Sequence, residues 1–196
     1  MKNKFDKKIF TAKTFIKDIG FVISNRTKIK SAYRNEKIGK AFIEKIMSVV
    51  TAVNGCTYCT WYHAKLAVES GVSEEEMKSM INLQFQADAA DFELTALLYA
   101  QHYAETDRNP DEEMTKKLFD YYGDETANNI ILLIRAMFFG NLLGNTWDAV
   151  MSRLKGRPAE NSNVIFEFFF FLSTFIVMIP AMFLSKDYRS QNFPAT

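Results

Sequence analysis

Two cysteines and a histidine lie close together in the sequence NGCTYCTWYH, residues 54–63. Cys56 and Cys59 are the two cysteines of the chain, and His63 is one of its two histidines. A C-x-x-C spacing brings two thiols within disulfide reach, and on a helix His63 lies one turn beyond Cys59. A histidine there can accept a proton from a thiol or deliver one to a leaving oxygen. The spacing predicts a reactive dithiol, and the alternative is two inert thiols beside a structural histidine.

Zinc binding is the other chemistry that cysteine and histidine suggest. A structural zinc site uses four ligands, and this segment offers three. A fourth, His102, belongs to a different predicted helix. We therefore predict no metal and no bound cofactor, and expect the dithiol to depend on an external thiol reductant.

The residues around the dithiol predict a helical hairpin. In EKIGKAFIEKIMSVVTAV, residues 36–53, the apolar positions recur at helical spacing. Asn54 and Gly55 then break the helix, and CTYCTWYHAKLAVES forms a second one. The dithiol would lie in the first turn of that second helix. Unpaired N–H groups and the positive end of the helix dipole favour a thiolate at that position.

Glu44 stands in an otherwise apolar part of the first helix, 12 residues before Cys56. A hairpin would carry its carboxylate back along the second helix, where it could orient His63 as the third member of a thiol, base and acid arrangement. The alternative is an exposed helix carboxylate beside Lys45.

The rest of the sequence predicts an all-α fold. Ser73 and Glu76 suggest a capping box that starts a short helix. Further helices are predicted in DFELTALLYAQHYAE and in PDEEMTKKLFDYYG, which Gly123 should end. Residues 124–156 form one long helix or two, with Gly140 and Gly144 allowing close packing or a bend. No alternating strand pattern of useful length occurs.

The C-terminal part contains FFFFLSTFIVMIPAMFL, residues 168–184, without a charged residue. Together with residues 164–166 this run is long enough to cross a bilayer. It predicts either a membrane span or a helix buried in an oligomer interface. We divide the chain into a basic segment (1–34), a helical domain (35–160) and an apolar C-terminal helix (161–186).

Charge is unevenly distributed along the chain. Residues 1–40 carry 12 Lys or Arg residues and three acidic ones. This segment suits an anionic membrane surface or a solvated helix face, and no base-stacking or helix-turn-helix signature predicts nucleic acid binding. Lys13, Lys17 and Asp18 interrupt the apolar residues that a secretory signal would need. We expect a cytoplasmic catalytic domain, with the C-terminal helix as its candidate anchor to a membrane.

The segment EKIMSVVTAVNGCTYCTWYHAKLAVESGVSEEE, residues 44–76, resembles the carboxymuconolactone decarboxylase superfamily, in particular its thiol-bearing, AhpD-like alkylhydroperoxidase branch. That branch has the pattern E, eleven residues, C-x-x-C, three residues, H. Glu44, Cys56, Cys59 and His63 match every position. The resemblance covers about residues 35–155, and the terminal segments lie outside it.

The resemblance implies an all-helical protein that assembles into trimers or hexamers and reduces peroxides or disulfides. Cys59 would attack the peroxide and become a sulfenic acid, and Cys56 would resolve it as a disulfide. His63 and Glu44 would form the proton relay. The implied partners are a peroxide substrate and a dithiol protein or lipoyl-type donor. Lactone decarboxylation is not expected, because the decarboxylase branch lacks the cysteine pair.

Tyr58 is a departure from the characterised peroxidase of this branch, which has a histidine before the second cysteine. A phenol with a pKa near 10 is a poor proton shuttle at neutral pH, although it can donate a hydrogen bond. Tyr58 is therefore a candidate member of the relay. Besides an enzyme, the sequence is compatible with a redox-responsive membrane-associated or scaffold oligomer with little turnover, and with a helical oligomer whose cysteines are inert.

Overall fold

The structure is a computed structural model that describes residues 5–86, 90–160, 162–176 and 179. These residues form an all-α fold with no strand among them, as predicted. The eight helices of the described residues are α1 (Ala12–Ser24), α2 (Arg26–Ala32), α3 (Lys40–Asn54), α4 (Thr57–Glu69), α5 (Glu74–Ile81), α6 (Asp91–Glu105), α7 (Glu112–Leu154) and α8 (Val164–Ile176).

Helix α3 lies at the centre of the fold and packs against α4, α5, α6 and α7. Its apolar residues are buried on more than one side, because neighbouring helices surround it. Gly55 ends α3 with a φ of 66°, in the left-handed conformation that glycine adopts without a steric cost. The chain then turns directly into α4, so the predicted hairpin is present.

Lys45 on α3 forms a buried ionic cluster with α5 and α6. Its Nζ atom lies 2.5 Å from Glu76 Oε1 and 2.8 Å from Glu93 Oε2. The Glu76 backbone N–H meanwhile donates to the Ser73 hydroxyl, which is the Ser73 half of the capping box predicted for the start of α5. Burial would lower the pKa of Lys45, but its hydrogen bonds to Glu76 and Glu93 more than offset this and raise that pKa. The cluster links three helices around the face of α3 next to Glu44.

Helix α7 contains both segments that the sequence predicts after residue 110. Gly123 has a φ of 71° and a ψ of 167°, which are not helical values, so the first helical segment stops there as predicted and the second continues directly after the kink. Gly140 and Gly144 remain within the regular helix. Of the two roles predicted for them, close packing therefore applies to Gly144, as described below, and the bend occurs at Gly123.

The basic N-terminal segment is folded onto the domain from residue 5 onward. Thr11 caps α1 through a reciprocal pair of hydrogen bonds with Thr14. Asp18 of α1 forms an ion pair with Arg108, and the Arg135 guanidinium lies 3.4 Å from the centre of the Phe21 ring. These contacts join α1 to the end of α6 and to α7.

Helix α8 packs against the domain through one face. Phe170 lies 5.5 Å from Phe15, and Phe171 stacks on Trp147 at 5.0 Å between ring centres. Glu167, the single acidic residue within α8, is buried and forms an ion pair with Arg153 of α7. The described part of the apolar run is therefore attached to its own domain by both apolar and ionic contacts.

The outer face of α8 is apolar and exposed. It includes Val164, Ile165, Phe168, Phe169, Leu172 and Ile176. The later part of the predicted apolar helix, residues 177, 178 and 180–186, lies outside the described residues. Among the helices that the structure describes, α7 is long and apolar enough to cross a membrane, and 61% of its apolar window is buried inside the domain.

Candidate redox site

Cys56 and Cys59 lie at the start of α4, where their sulfur atoms are paired as a disulfide and their Cα atoms are 5.4 Å apart. Cys56 is the N-cap residue, and its Sγ atom accepts a hydrogen bond from the Cys59 backbone N–H at 3.4 Å. Cys56 is fully buried, whereas Cys59 is half-buried. The two sulfurs therefore share a helix start, but the second is the more accessible.

The Glu44 carboxylate reaches back from α3 to His63 on α4. Its Oε2 atom lies 2.7 Å from His63 Nδ1, and both residues are buried, with 4% and 7% of their surface exposed. With Nδ1 donating to the carboxylate, Nε2 is left for proton exchange. Glu44 is thus not the exposed carboxylate of the alternative interpretation, and Lys45 beside it is buried as well.

Gly144 of α7 lies directly against the disulfide. A Cβ atom at this position would be 2.6 Å from Cys56 Sγ and 3.2 Å from Cδ2 of the Tyr58 ring. Such separations are below van der Waals contact, so only glycine fits without displacing its neighbours. The ring of Tyr58, a residue of α4, therefore packs against α7 at the site.

Buried amide side chains fix α7 to the end of α3 beside the cysteines. Asn54 Nδ2 donates to Asn141 Oδ1 at 3.1 Å, and Asn141 Nδ2 donates to Thr51 Oγ1 at 3.0 Å. Asn145 Nδ2 donates to the Asn54 carbonyl at 2.8 Å. Buried hydrogen bonds of this kind specify one register between two helices. They hold Gly144 over the disulfide.

Comparison with known families adds to this geometry. Residues 26–102 match the model of the carboxymuconolactone decarboxylase family. The matched segment contains the whole α3–α4 hairpin and all four residues of the predicted motif. The match is to the family as a whole, so the alkylhydroperoxidase branch remains a prediction. No curated protein and no solved structure matches the chain significantly.

Tyr33, within the matched segment, is a neighbour of the site that the sequence analysis missed. Although 41% of its surface is exposed, its hydroxyl points toward Met47 Sδ at 3.8 Å. Burial raises the pKa of Tyr33, and the nearby charge of Glu44 raises it further. No periodic pattern joins Tyr33 to Glu44, because the two lie on different helices.

His102 lies away from the dithiol, at the end of α6. Its Nε2 atom accepts a hydrogen bond from the Asp111 backbone N–H at 3.1 Å. Among the residues that the structure describes, no group of three His, Cys, Asp or Glu side chains is arranged to hold a metal ion. His102 therefore belongs to the junction between α6 and α7.

Proposed function

We propose that the protein is a thiol-dependent peroxidase or disulfide oxidoreductase that acts through Cys56 and Cys59. The observation that supports this most strongly is the 2.7 Å contact between Glu44 and His63, one turn beyond a cysteine pair at a helix start. A base oriented by a buried carboxylate is the arrangement that activates a nucleophile. The family match and the disulfide agree with a redox role.

In the first step the Cys59 thiol transfers its proton to His63, and the resulting thiolate attacks an oxygen of the hydroperoxide. An S–O bond forms, the O–O bond breaks, and the leaving alkoxide takes the proton from His63 to become an alcohol. Cys59 is oxidised to a sulfenic acid as the peroxide is reduced. Glu44 stabilises the charged imidazole between the two proton transfers.

In the second step the Cys56 thiol attacks the Cys59 sulfur. The S–S bond forms, the S–O bond breaks, and the hydroxyl group leaves as water with the Cys56 proton. The product is the Cys56–Cys59 disulfide, which is the state of the pair in the structure. Oxidation therefore stops at a reversible stage.

An external dithiol then regenerates the pair. Because Cys56 is fully buried and Cys59 is half-buried, the donor thiolate attacks Cys59 and releases Cys56. The second thiol of the donor resolves the mixed disulfide and leaves as the oxidised donor. This chemistry suits a dithiol protein or a lipoyl-type donor, and it needs no bound cofactor.

The test is consumption of cumene hydroperoxide by the full chain with dithiothreitol as donor. We expect Cys59→Ser to abolish turnover and His63→Ala to reduce it about 100-fold or more, the usual contribution of an acid–base group. His102→Ala is the matched control, since His102 lies on α6 away from the dithiol, and it should leave turnover unchanged. Cys59→Ser and His63→Ala variants as active as the wild type would refute the proposed relay.

A redox-responsive oligomer is the second candidate, and the exposed apolar face of α8 favours it. Such a face would be covered by a second copy of the chain, in a trimer or hexamer, or by a membrane. In this case the disulfide would switch assembly with little turnover. The size of the detergent-solubilised protein should then differ between the oxidised and reduced forms, and an equal size in both forms would contradict a switch.

Cell fractionation distinguishes a membrane from a second copy of the chain as the partner of the exposed face of α8. A protein anchored to the cytoplasmic side of a membrane needs detergent for extraction. If the full chain instead stays soluble without detergent, the membrane proposal is wrong. A truncation after Glu160 should then weaken assembly.

A further inference from the structure

The segment before α1 crosses the site at the start of α4, although it precedes the matched residues 26–102. Phe10 is buried, with its ring 5.3 Å from Phe15 and 5.5 Å from Phe139. Its backbone N–H donates to the Thr146 hydroxyl of α7 at 2.9 Å. These contacts fix the chain close to the dithiol, and Lys7 lies three residues earlier.

Lys7 connects the two helices that meet at the disulfide. Its Nζ atom lies 3.2 Å from Thr57 Oγ1 and 2.7 Å from Asp148 Oδ2. Thr57 directly follows Cys56, and Asp148 lies one helical turn after Gly144, the residue in contact with Cys56 Sγ. Consecutive Cα atoms are about 3.8 Å apart and one turn rises about 5.4 Å, so both charges lie on the order of 10 Å from Cys56 Sγ.

The Lys7–Asp148 pair is partly shielded from water. About a quarter of each side chain is exposed, 26% for Lys7 and 22% for Asp148. Charges in such a position are screened less than fully exposed ones. Among the described residues, other titratable groups around the dithiol and its relay include Glu44 from α3, Tyr58, Tyr62 and His63 from α4, and Tyr33 from the end of α2.

Asp148 thus lies near a sulfur of the pair that must carry a negative charge to react, and a second carboxylate, Glu44, contacts His63 one turn beyond Cys59. Each carboxylate disfavours a second negative charge nearby. The His63 imidazole contacts Glu44, and a proton on it offsets the negative charge of that carboxylate. Among the described residues, Lys7 is the cation in contact with Asp148.

We propose that Lys7 is a positioning residue for the dithiol, because it neutralises Asp148 at the start of α4 and so allows a thiolate to form near neutral pH. The proposal rests on the proposed function, in that the dithiol must be reactive. The test measures the reactivity of the thiols and not peroxide turnover, so the role of Lys7 and the proposed function can be refuted separately.

The experiment measures the rate at which iodoacetamide alkylates the reduced full chain from pH 5 to 10, with peptide mass spectrometry to identify the modified cysteine. Lys7→Met leaves Asp148 unpaired, and at roughly 10 Å this should slow alkylation of the reactive cysteine about fivefold at pH 7. The pH profile should shift to higher pH. Lys7→Arg keeps the positive charge and should retain the wild-type pH profile.

The double variant Lys7→Met/Asp148→Asn separates charge from packing. If Lys7 acts by neutralising Asp148, the double variant alkylates at nearly the wild-type rate. Lys13→Met, which removes an exposed charge from α1, is the control for net charge and should match the wild type. A Lys7→Met rate within twofold of the wild type, or a double variant as slow as Lys7→Met, would overturn the proposal.

Peroxide consumption by the same samples distinguishes the two hypotheses. A wild-type protein that turns over peroxide while Lys7→Met leaves the alkylation profile unchanged refutes the role of Lys7 alone. A wild-type protein without turnover, but with a Lys7-dependent alkylation profile, refutes the peroxidase and supports the role of Lys7.

Discussion

The close approach of α7 to the disulfide predicts opposite effects for two glycine substitutions on the same helix. In Gly144→Ala the new Cβ would lie 2.6 Å from Cys56 Sγ, about 1 Å inside ordinary contact. In Gly140→Ala the nearest atom is Met137 Cε at 3.6 Å, which is an ordinary contact. Both positions are helical, so both substitutions gain the same preference of alanine over glycine, about 1 kcal/mol.

The difference between the two variants therefore isolates the steric cost at Gly144. Overpacking a well-filled site costs about 1–3 kcal/mol. For a domain of this size each kcal/mol changes the melting temperature by about 2–4 °C, so the melting temperatures of the two variants should differ by roughly 2–12 °C. We expect Gly140→Ala to unfold above the wild type and Gly144→Ala to unfold below it.

Thermal unfolding of the oxidised proteins, followed by circular dichroism, measures this difference. The oxidised state is the relevant one, because the disulfide holds Cys56 Sγ against α7. Gly144→Ala should also slow peroxide turnover if α7 is displaced from Tyr58. A Gly144→Ala protein that is as stable as Gly140→Ala would refute the inferred contact between α7 and the disulfide.

Two further predictions concern buried ion pairs. Lys45→Met leaves Glu93 buried without its cation and should lower the free energy of unfolding by about 3–5 kcal/mol. Because the pKa of Lys45 is raised in the folded state, the stabilisation by Lys45 is present below about pH 10 and is lost as the pH rises further. Urea titrations should therefore show the stabilities of the wild type and the variant converging in strong alkali. Arg153→Met leaves Glu167 unpaired and should loosen the attachment of α8, although its apolar contacts remain. Limited proteolysis would detect this as faster cleavage between α7 and α8, and cleavage at the wild-type rate would contradict the role of this pair.

Much of the fold follows from local sequence patterns. The period of apolar residues locates α3, and Gly55 marks the turn into α4 because few other residues adopt its left-handed backbone. The spacing of Cys59 and His63 defines their relation on one helix. These features depend on residues within a few helical turns of one another, so the local amino-acid sequence is sufficient to predict them.

Contacts between distant segments required the tertiary structure. The sequence offered two environments for Glu44, and only the packing of α3 against α4 decided for the buried contact with His63. Gly144 could have bent its helix, but the amide network holds it over Cys56. Lys7 is 141 residues from Asp148, and no local pattern pairs two such residues.

The sequence by itself therefore determined the all-α class, the helical hairpin and the position of the dithiol at the start of a helix. Only the tertiary structure decided which charges surround that dithiol and which helix covers it. The physical reason is range: helical periodicity and turn preferences act over a few residues, whereas burial and ion pairing depend on segments that folding brings together.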